Sequence, residues 1–144
     1  MFISDVLHGK SGMVVKVAPG DTVLAATRKL AEHRIGAVVV EDDWMRLVGI
    51  FSERDFVNAT ARYGAEAVSF PVERLMSKRV ITCRPNDRIE DALAAMTMAR
   101  IRHLPVVADN RLVGIVSIGD LVKHRLDEKA LEANVLLDIA RLHA

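Results

Sequence analysis

Cysteine is nearly absent from this chain, where Cys83 stands alone. A single thiol can form neither an internal disulfide nor a cysteine-based zinc cluster, so its expected role is that of a small buried hydrophobe. Aromatics are also scarce, with one Trp, one Tyr and four Phe in 144 residues. The core must therefore be built from Val, Ile, Leu, Ala and Met. Net charge is almost nil: 20 basic residues face 19 acidic ones, which leaves no whole-molecule field to hold nucleic acid or an anionic membrane. No apolar run approaches the ~18 residues of a membrane span. Met1 to Gly12 carry Asp5, His8 and Lys10 and lack the apolar stretch of a secretory signal. Together these absences point to a cytoplasmic, reducing setting.

Several chemistries are missing as well. The five histidines, at positions 8, 33, 103, 124 and 143, include no i,i+4 pair and no HExxH string, which argues against a metal site. There is no GxSxG, no phosphate-binding P-loop and no GxGxxG, so neither an activated nucleophile nor a dinucleotide fold is indicated. The chain is expected not to be an enzyme.

What is present is a repeat. Pro19, Asp21, Ala26, Leu30, Arg34 and Ile35 recur 66 positions later as Pro85, Asp87, Ala92, Met96, Arg100 and Ile101. After a one-residue deletion, Leu47, Val48, Gly49, Ser52 and Asp55 recur at an offset of 65 as Leu112, Val113, Gly114, Ser117 and Asp120. The slip falls in a polar stretch, Asp42-Asp43-Trp44 against Asp109-Asn110, where a loop tolerates it. Val6-Leu7 precedes the first copy much as Leu75-Met76 precedes the second.

Within each copy the apolar pattern alternates between periods. Met13 to Val17 and Val80 to Cys83 read as short strands. Val23, Ala26 and Leu30, and then Ile89, Ala92, Leu93 and Met96, follow a helical period. Asp21 and Asp87 are placed to cap those helices, with Glu90 completing a capping box. Ala37 to Val40 and Leu104 to Val107 are apolar runs expected to be buried on both faces, each followed by a second strand, Leu47 to Phe51 or Leu112 to Val116. Ala108-Asp109-Asn110-Arg111 reads as a hairpin turn. A last helix starts at Ser52 and at Ser117.

Each copy is thus β-α-β-β-α, a three-stranded sheet with helices on one face. The uncovered faces are best buried by packing the two sheets together about a pseudo-twofold axis. The expected organisation of this α/β chain is repeat 1 over residues 1–63, a linker over 64–71, repeat 2 over 72–126 and a C-terminal helical extension over 127–144. That extension puts Leu131, Val135, Ile139 and Leu142 on one face, which must dock on the chain itself or on a second copy.

Candidate site residues gather at the strand-to-helix turns. Ser52 with Asp55 and Ser117 with Asp120 each make a capping box, which by itself would account for both pairs. The glycines that close the strands, Gly49 and Gly114, are not explained by a cap and are expected to let another molecule approach the backbone. A carboxylate in that place can accept both hydroxyls of a ribose, while the serine and the first-turn amides are free for a phosphate or a hydroxyl. Arg102-His103, before the third apolar run, reads either as a solvated loop with a partner-less histidine or as a cation pair aimed at phosphates between the repeats. Arg54, a cation in a first helical turn, calls for an anionic neighbour.

With these residues in hand, the chain resembles a standalone CBS-domain pair, the regulatory module named for cystathionine β-synthase. The resemblance spans about residues 3 to 126 and rests on Val15-Lys-Val-Ala-Pro19, Ile81-Thr-Cys-Arg-Pro85, the hairpins and the doubled G-h-x-S-x-x-D ending. It implies inter-repeat clefts that bind adenosine compounds, AMP foremost, with ADP, ATP, NAD(H) or S-adenosylmethionine as alternatives. It also implies a homodimer and regulation of an unidentified partner protein, with no catalysis. Asp120 and Asp55 would hold ribose. Ser117, Ser52, Arg102, His103 and Arg54 would lie near ribose or phosphate, and Thr82 with the backbone around Leu104, Pro105 and Val106 would line the adenine side. Repeat 1 departs from the pattern, with Lys16 at the position of Thr82, Val39 at that of Pro105 and Gly36-Ala37 at that of Arg102-His103. Two unequal clefts are expected, with Asp120's the first to be occupied. The alternative is a ligand-independent dimerisation or docking module that works through the C-terminal helix.

Overall fold

The computed structural model describes residues 1–10 and 14–143, so the Met13 end of the first predicted strand lies outside the described residues. In chain order the elements are α1 (Ile3–His8), β1 (Lys16–Val17), α2 (Val23–His33), β2 (Ala37–Glu41), β3 (Leu47–Ser52) and α3 (Glu53–Tyr63). A 3₁₀ segment (Gly64–Ser69) leads to α4 (Val72–Leu75), α5 (Ile89–Ala99), β4 (His103–Ala108), β5 (Arg111–Ser117) and α6 (Ile118–Leu142).

In the first copy β1 runs parallel to β2, with Val17 opposite Val40, and β3 returns antiparallel, with Ile50 opposite Val39. Val38, Val39 and Val40 are all fully buried. Alternating side chains point to opposite faces, so both faces of β2 are covered. In the second copy β4 and β5 make the same hairpin. The third strand expected there shrinks to one parallel bridge, Cys83 with Val106, closed by Cys83 N–H donating to Pro105 O at 3.0 Å and Val107 N–H to Cys83 O at 2.9 Å.

The hairpins explain the one-residue slip between copies. Asp109 and Asn110 both take positive φ, 51° and 62°, the two-residue turn that short polar side chains tolerate. The first hairpin is longer: Asp42 closes it by accepting from the Trp44 and Arg46 amides and the Arg46 guanidinium.

The helices form where the stripes predict, but their caps differ. Thr22, not Asp21, caps α2, accepting from Ala25 N–H at 3.1 Å, and Arg88 stands at the N-cap of α5. Asp21 and Asp87 instead each accept an amide three residues back, from Ala18 at 2.9 Å and Arg84 at 2.8 Å. Those bonds close the turns that carry Pro19 and Pro85, where the aspartates act as local turn acceptors. Both crossover helices end on an arginine in the left-handed region, Arg34 at φ 52° and Arg100 at φ 56°. The following amides, of Ile35 and Ile101, reach back to Leu30 O and Met96 O and complete a Schellman end without glycine.

The leading segments are exchanged between the copies. Ile3 and Val6 of α1 are buried with Ile89, Met96, Leu104 and Leu121, in the core of the second copy. Val72, with Phe70, Leu75 and Met76 beside it, joins Val23, Leu30, Val38 and Phe51 in the first. Backbone bonds fasten both exchanges: Ile3 N–H donates to Asp87 O, and Ser77 and Ile50 exchange a pair at 2.9 and 3.0 Å. Each such residue, fully buried, contributes roughly 1.5–3 kcal/mol to a core other than that of its own sequence copy.

The helix that begins at Ser117 runs unbroken to Leu142. The helical extension expected after Leu126 is thus continuous with the second copy's own closing helix. With no Gly or Pro between Asp120 and Leu142, nothing stops the helix there. Its outer part is exposed, Leu131 at 63%, Leu136 at 66% and Leu142 at 83%.

Candidate functional site

Both strand-to-helix turns carry complete capping boxes. Ser52 N–H donates to Asp55 Oδ2 at 2.9 Å and Asp55 N–H to Ser52 Oγ at 3.3 Å. In the second copy Ser117 N–H donates to Asp120 Oδ2 at 2.9 Å and Asp120 N–H to Ser117 Oγ at 3.1 Å. The serines and aspartates therefore do structural work whatever else they do. The glycines before them are also used internally. A side chain at Gly49 would collide with Met76, and one at Gly114 with Leu7. What approaches the backbone there is the exchanged segment, and not an outside molecule as expected from sequence.

Beside the first turn lies a cavity of about 380 Å³, within the usual range of small-molecule sites. One wall is the β3–α3 turn with Ser52, Arg54 and Asp55; the opposite wall comes from the second copy, Arg79 to Ile81 and Arg100 to His103, with Pro105. Four arginines, Arg54, Arg79, Arg100 and Arg102, and two acidic residues, Glu53 and Asp55, line it. No described salt bridge involves any of the four arginines. The surplus of donors favours an anion.

Arg54 has a partner that sequence reasoning did not find. Its Nη1 donates to Arg100 O at 3.1 Å, at the end of α5, where carbonyls carry the negative end of the helix dipole. This bond ties the first turn of α3 to the last turn of α5 across the seam. Asp55 also accepts from the Ser77 hydroxyl, 3.2 Å from Oδ1 and 3.4 Å from Oδ2. A carboxylate has about four acceptor sites, so Asp55 keeps capacity for further donors.

His103 stands at the seam, its ring against Gly36 so closely that a side chain at 36 would overlap it. The contrast between Gly36-Ala37 and Arg102-His103 is therefore complementary: the small residue of one copy receives the large residue of the other. Burial is the main influence on the His103 imidazole and holds it below the ordinary histidine range, against the pull of Glu53 and Asp120.

Residues 4–62 and 72–127 both match the CBS domain family. The chain belongs to the CBS-domain family. A CBS-domain containing protein of Agrobacterium tumefaciens is 43% identical, with a TM-score of 0.83 over 86% of this chain and 92% of its own. A CBS domain protein of Pyrobaculum aerophilum, crystallised with AMP, is 28% identical, with a TM-score of 0.75 over 83% of this chain and 89% of its own. A CBS domain pair crystallised with methylthioadenosine and S-adenosyl-L-methionine is 25% identical, with a TM-score of 0.76 over 85% of this chain and 98% of its own.

This CBS pair arranges its candidate residues differently from the sequence-based grouping. Arg102 and His103 were expected to serve Asp120, their neighbour in the second copy. Both line the cavity of Asp55, while His103, opposite Ser117 in the hairpin, also stays within electrostatic reach of Asp120 and Lys10. Asp120 faces Lys10, whose Nζ donates to Asp120 Oδ2 at 2.7 Å and to Ile115 O at 2.9 Å. Burial would raise the Asp120 carboxyl, but Lys10 and Ser117 outweigh it and hold the group below the ordinary carboxylate range. Pro105 lines the cavity, whereas Leu104 and Val106 alternate to the other face and are fully buried in the second core. Thr82 is exposed and lies off the cavity wall described here. Ser77, Arg79 and Arg100 are on the wall but were not singled out from sequence; continuing the match of Val6-Leu7 to Leu75-Met76 would have reached Arg79.

Among the described residues no group of three or more His, Cys, Asp or Glu is placed to hold a metal ion, and no helix is long and apolar enough to cross a membrane. Burial raises the Cys83 thiol to about 11, which keeps it protonated and inert.

Proposed function

We propose that this CBS pair is a non-catalytic regulatory module that binds an adenosine nucleotide in the cleft of Asp55. One observation carries the reading: a carboxylate suited to a ribose diol and four arginines without carboxylate partners face the same cavity from opposite repeats. Asp55 and Ser52 would take the ribose. Arg54, Arg79, Arg100 and Arg102 would surround the phosphate, and Pro105 with Val80 and Ile81 would pack on the base.

That polarity favours phosphorylated ligands. AMP, ADP, ATP and NAD(H) present anions to the guanidiniums, while S-adenosylmethionine brings a sulfonium and an ammonium to the same place. A ligand held by both repeats joins α3 to the start of β4. It can shift the pair between arrangements by no more than its differential affinity for them. Homodimerisation and a cytoplasmic regulated partner belong to the same proposal.

A thermal-shift panel of AMP, ADP, ATP, NADH and S-adenosylmethionine tests it. Ligand at 100 times its dissociation constant should add about 2.7 kcal/mol, and a melting temperature unmoved by all five would overturn the proposal. The exposed apolar residues of α6 favour a second reading, in which the pair docks on a partner or a second copy without ligand. Removal of residues 127–144 discriminates, since an unchanged oligomer in sedimentation excludes that helix as the interface.

A further inference from the structure

The turn at Asp120 repeats the parts of the turn at Asp55, but the cations around it differ. Leu7 lies over Gly114 as Met76 lies over Gly49. Three residues further along each exchanged segment comes a cation, Lys10 in one copy and Arg79 in the other. An apolar side chain over the glycine is thus common to both turns. The cations behave differently: Arg79 is part of the first cavity's wall, whereas Lys10 reaches the aspartate itself.

The ammonium takes two acceptors in that cleft at once, Asp120 Oδ2 and Ile115 O, 2.7 and 2.9 Å away. Oδ2 already receives the Ser117 amide at 2.9 Å. A diol arriving there must displace a charge-assisted bond and leave a cation without its counter-ion. At Asp55 the corresponding neighbour is the Ser77 hydroxyl, at 3.2 Å and beyond. That group carries no charge and can turn aside by a single rotation. The cations around the two aspartates also differ. Arg54 and Arg102, on opposite walls of the first cavity, are matched in the repeat by Gly119 and Gly36, so an incoming phosphate would find less to hold it at Asp120.

We infer that Lys10 makes the second cleft refuse a ribose diol, so that the chain carries one nucleotide where its repeat symmetry offers two. Lys10 is then a specificity-determining residue that acts as an internal occupant of the Asp120 cleft. This rests on the proposed nucleotide site at Asp55.

Calorimetric titration of the full chain with AMP tests the inference. The unmodified chain should bind about one AMP and Lys10→Met about two, with a gain of roughly tenfold or more in affinity at the second site. The double variant Lys10→Met/Asp55→Ala should return to one. Lys10→Gln provides the same readout should the methionine variant fold poorly.

Two comparable sites in the unmodified chain would overturn the inference, as would a single site retained in both Lys10 variants. Loss of binding on removing Lys10 would also overturn it, by showing that the ammonium holds ligand and does not exclude it. No AMP binding by any of these proteins would overturn the nucleotide reading and this inference together, an outcome distinct from a single site that persists without Lys10.

Discussion

Asp55 and Asp120 occupy the same place in two copies of one motif, and each accepts the amide of its own serine at 2.9 Å. Beyond that they diverge. Asp55 looks across the seam at arginines and at a serine hydroxyl; Asp120 looks at a lysine that neutralises it. The motif alone therefore specifies a helix cap, and the segments brought in from the other copy decide whether the cap also serves a ligand.

The difference can be broken most sharply at the aspartates. Asp55→Ala should lower AMP affinity by about 30-fold or more through lost charge-assisted bonds, while Asp120→Ala should change it less than about twofold. Both remove a cap of ~1 kcal/mol, so equal urea midpoints would separate the binding effect from stability. Equal losses of affinity would erase the distinction between the clefts. Next comes the far wall. Arg102→Gln should weaken AMP by about tenfold, and the loss should shrink as salt is raised, since partly exposed guanidiniums are screened; titrations at two ionic strengths check this.

Smaller effects follow from the exchanged segments. Gly114→Ala, which would drive a methyl into Leu7, should destabilise by about 1 kcal/mol. Gly49→Ala should cost more, because its methyl would overlap Sδ, Cγ and Cε of Met76, whereas at Gly114 only the tip of Leu7 lies in the way. Urea denaturation of the two variants gives the order.

The smallest expected effect is the acid dependence of the Lys10–Asp120 pair. The Asp120 carboxyl is held low in the folded chain. Its contribution is therefore present above the unfolded carboxylate value of about 3.9 and is lost as pH falls through the lower folded one. Since both groups are partly exposed, the pair should be worth about 0.5 kcal/mol. Lys10→Met should thus be slightly less stable than the parent at neutral pH and equal to it in strong acid. His103 changes in the same direction over a higher range. Its folded value is depressed, so its contribution is present above about 6.5 and lost as pH falls below that.

Much of the fold is legible along the chain. The stripe Val23, Ala26 and Leu30 is the buried face of α2, and Asp109-Asn110 is the hairpin turn. The caps were misread at Asp21 and Asp87, because an aspartate after proline serves its own turn as readily as the next helix. Ser52, Arg54, Asp55, Arg102, His103 and Pro105, all named from sequence, lie on one cavity wall or the other. Their grouping was not legible, since Arg102 is near Asp120 in sequence but lines the cavity of Asp55. Ser77 and Arg79 were missed because an exposed polar pair after a short helix looks like any solvated loop.

The amino-acid sequence by itself determined the doubled β-α-β-β-α pattern, the family and the two capped turns. These follow from periodicity, short-range turn chemistry and an internal match, all contained within some sixty residues. Only the tertiary structure decided that α1 feeds the second core and the Val72 segment the first, and hence that Lys10 meets Asp120 while Arg102 lines the cavity of Asp55. The physical reason is the symmetry of the repeat. Two copies of one pattern can be paired within themselves or across the seam with the same local preferences satisfied, and only long-range packing, Leu7 on Gly114 and His103 on Gly36, separates the two.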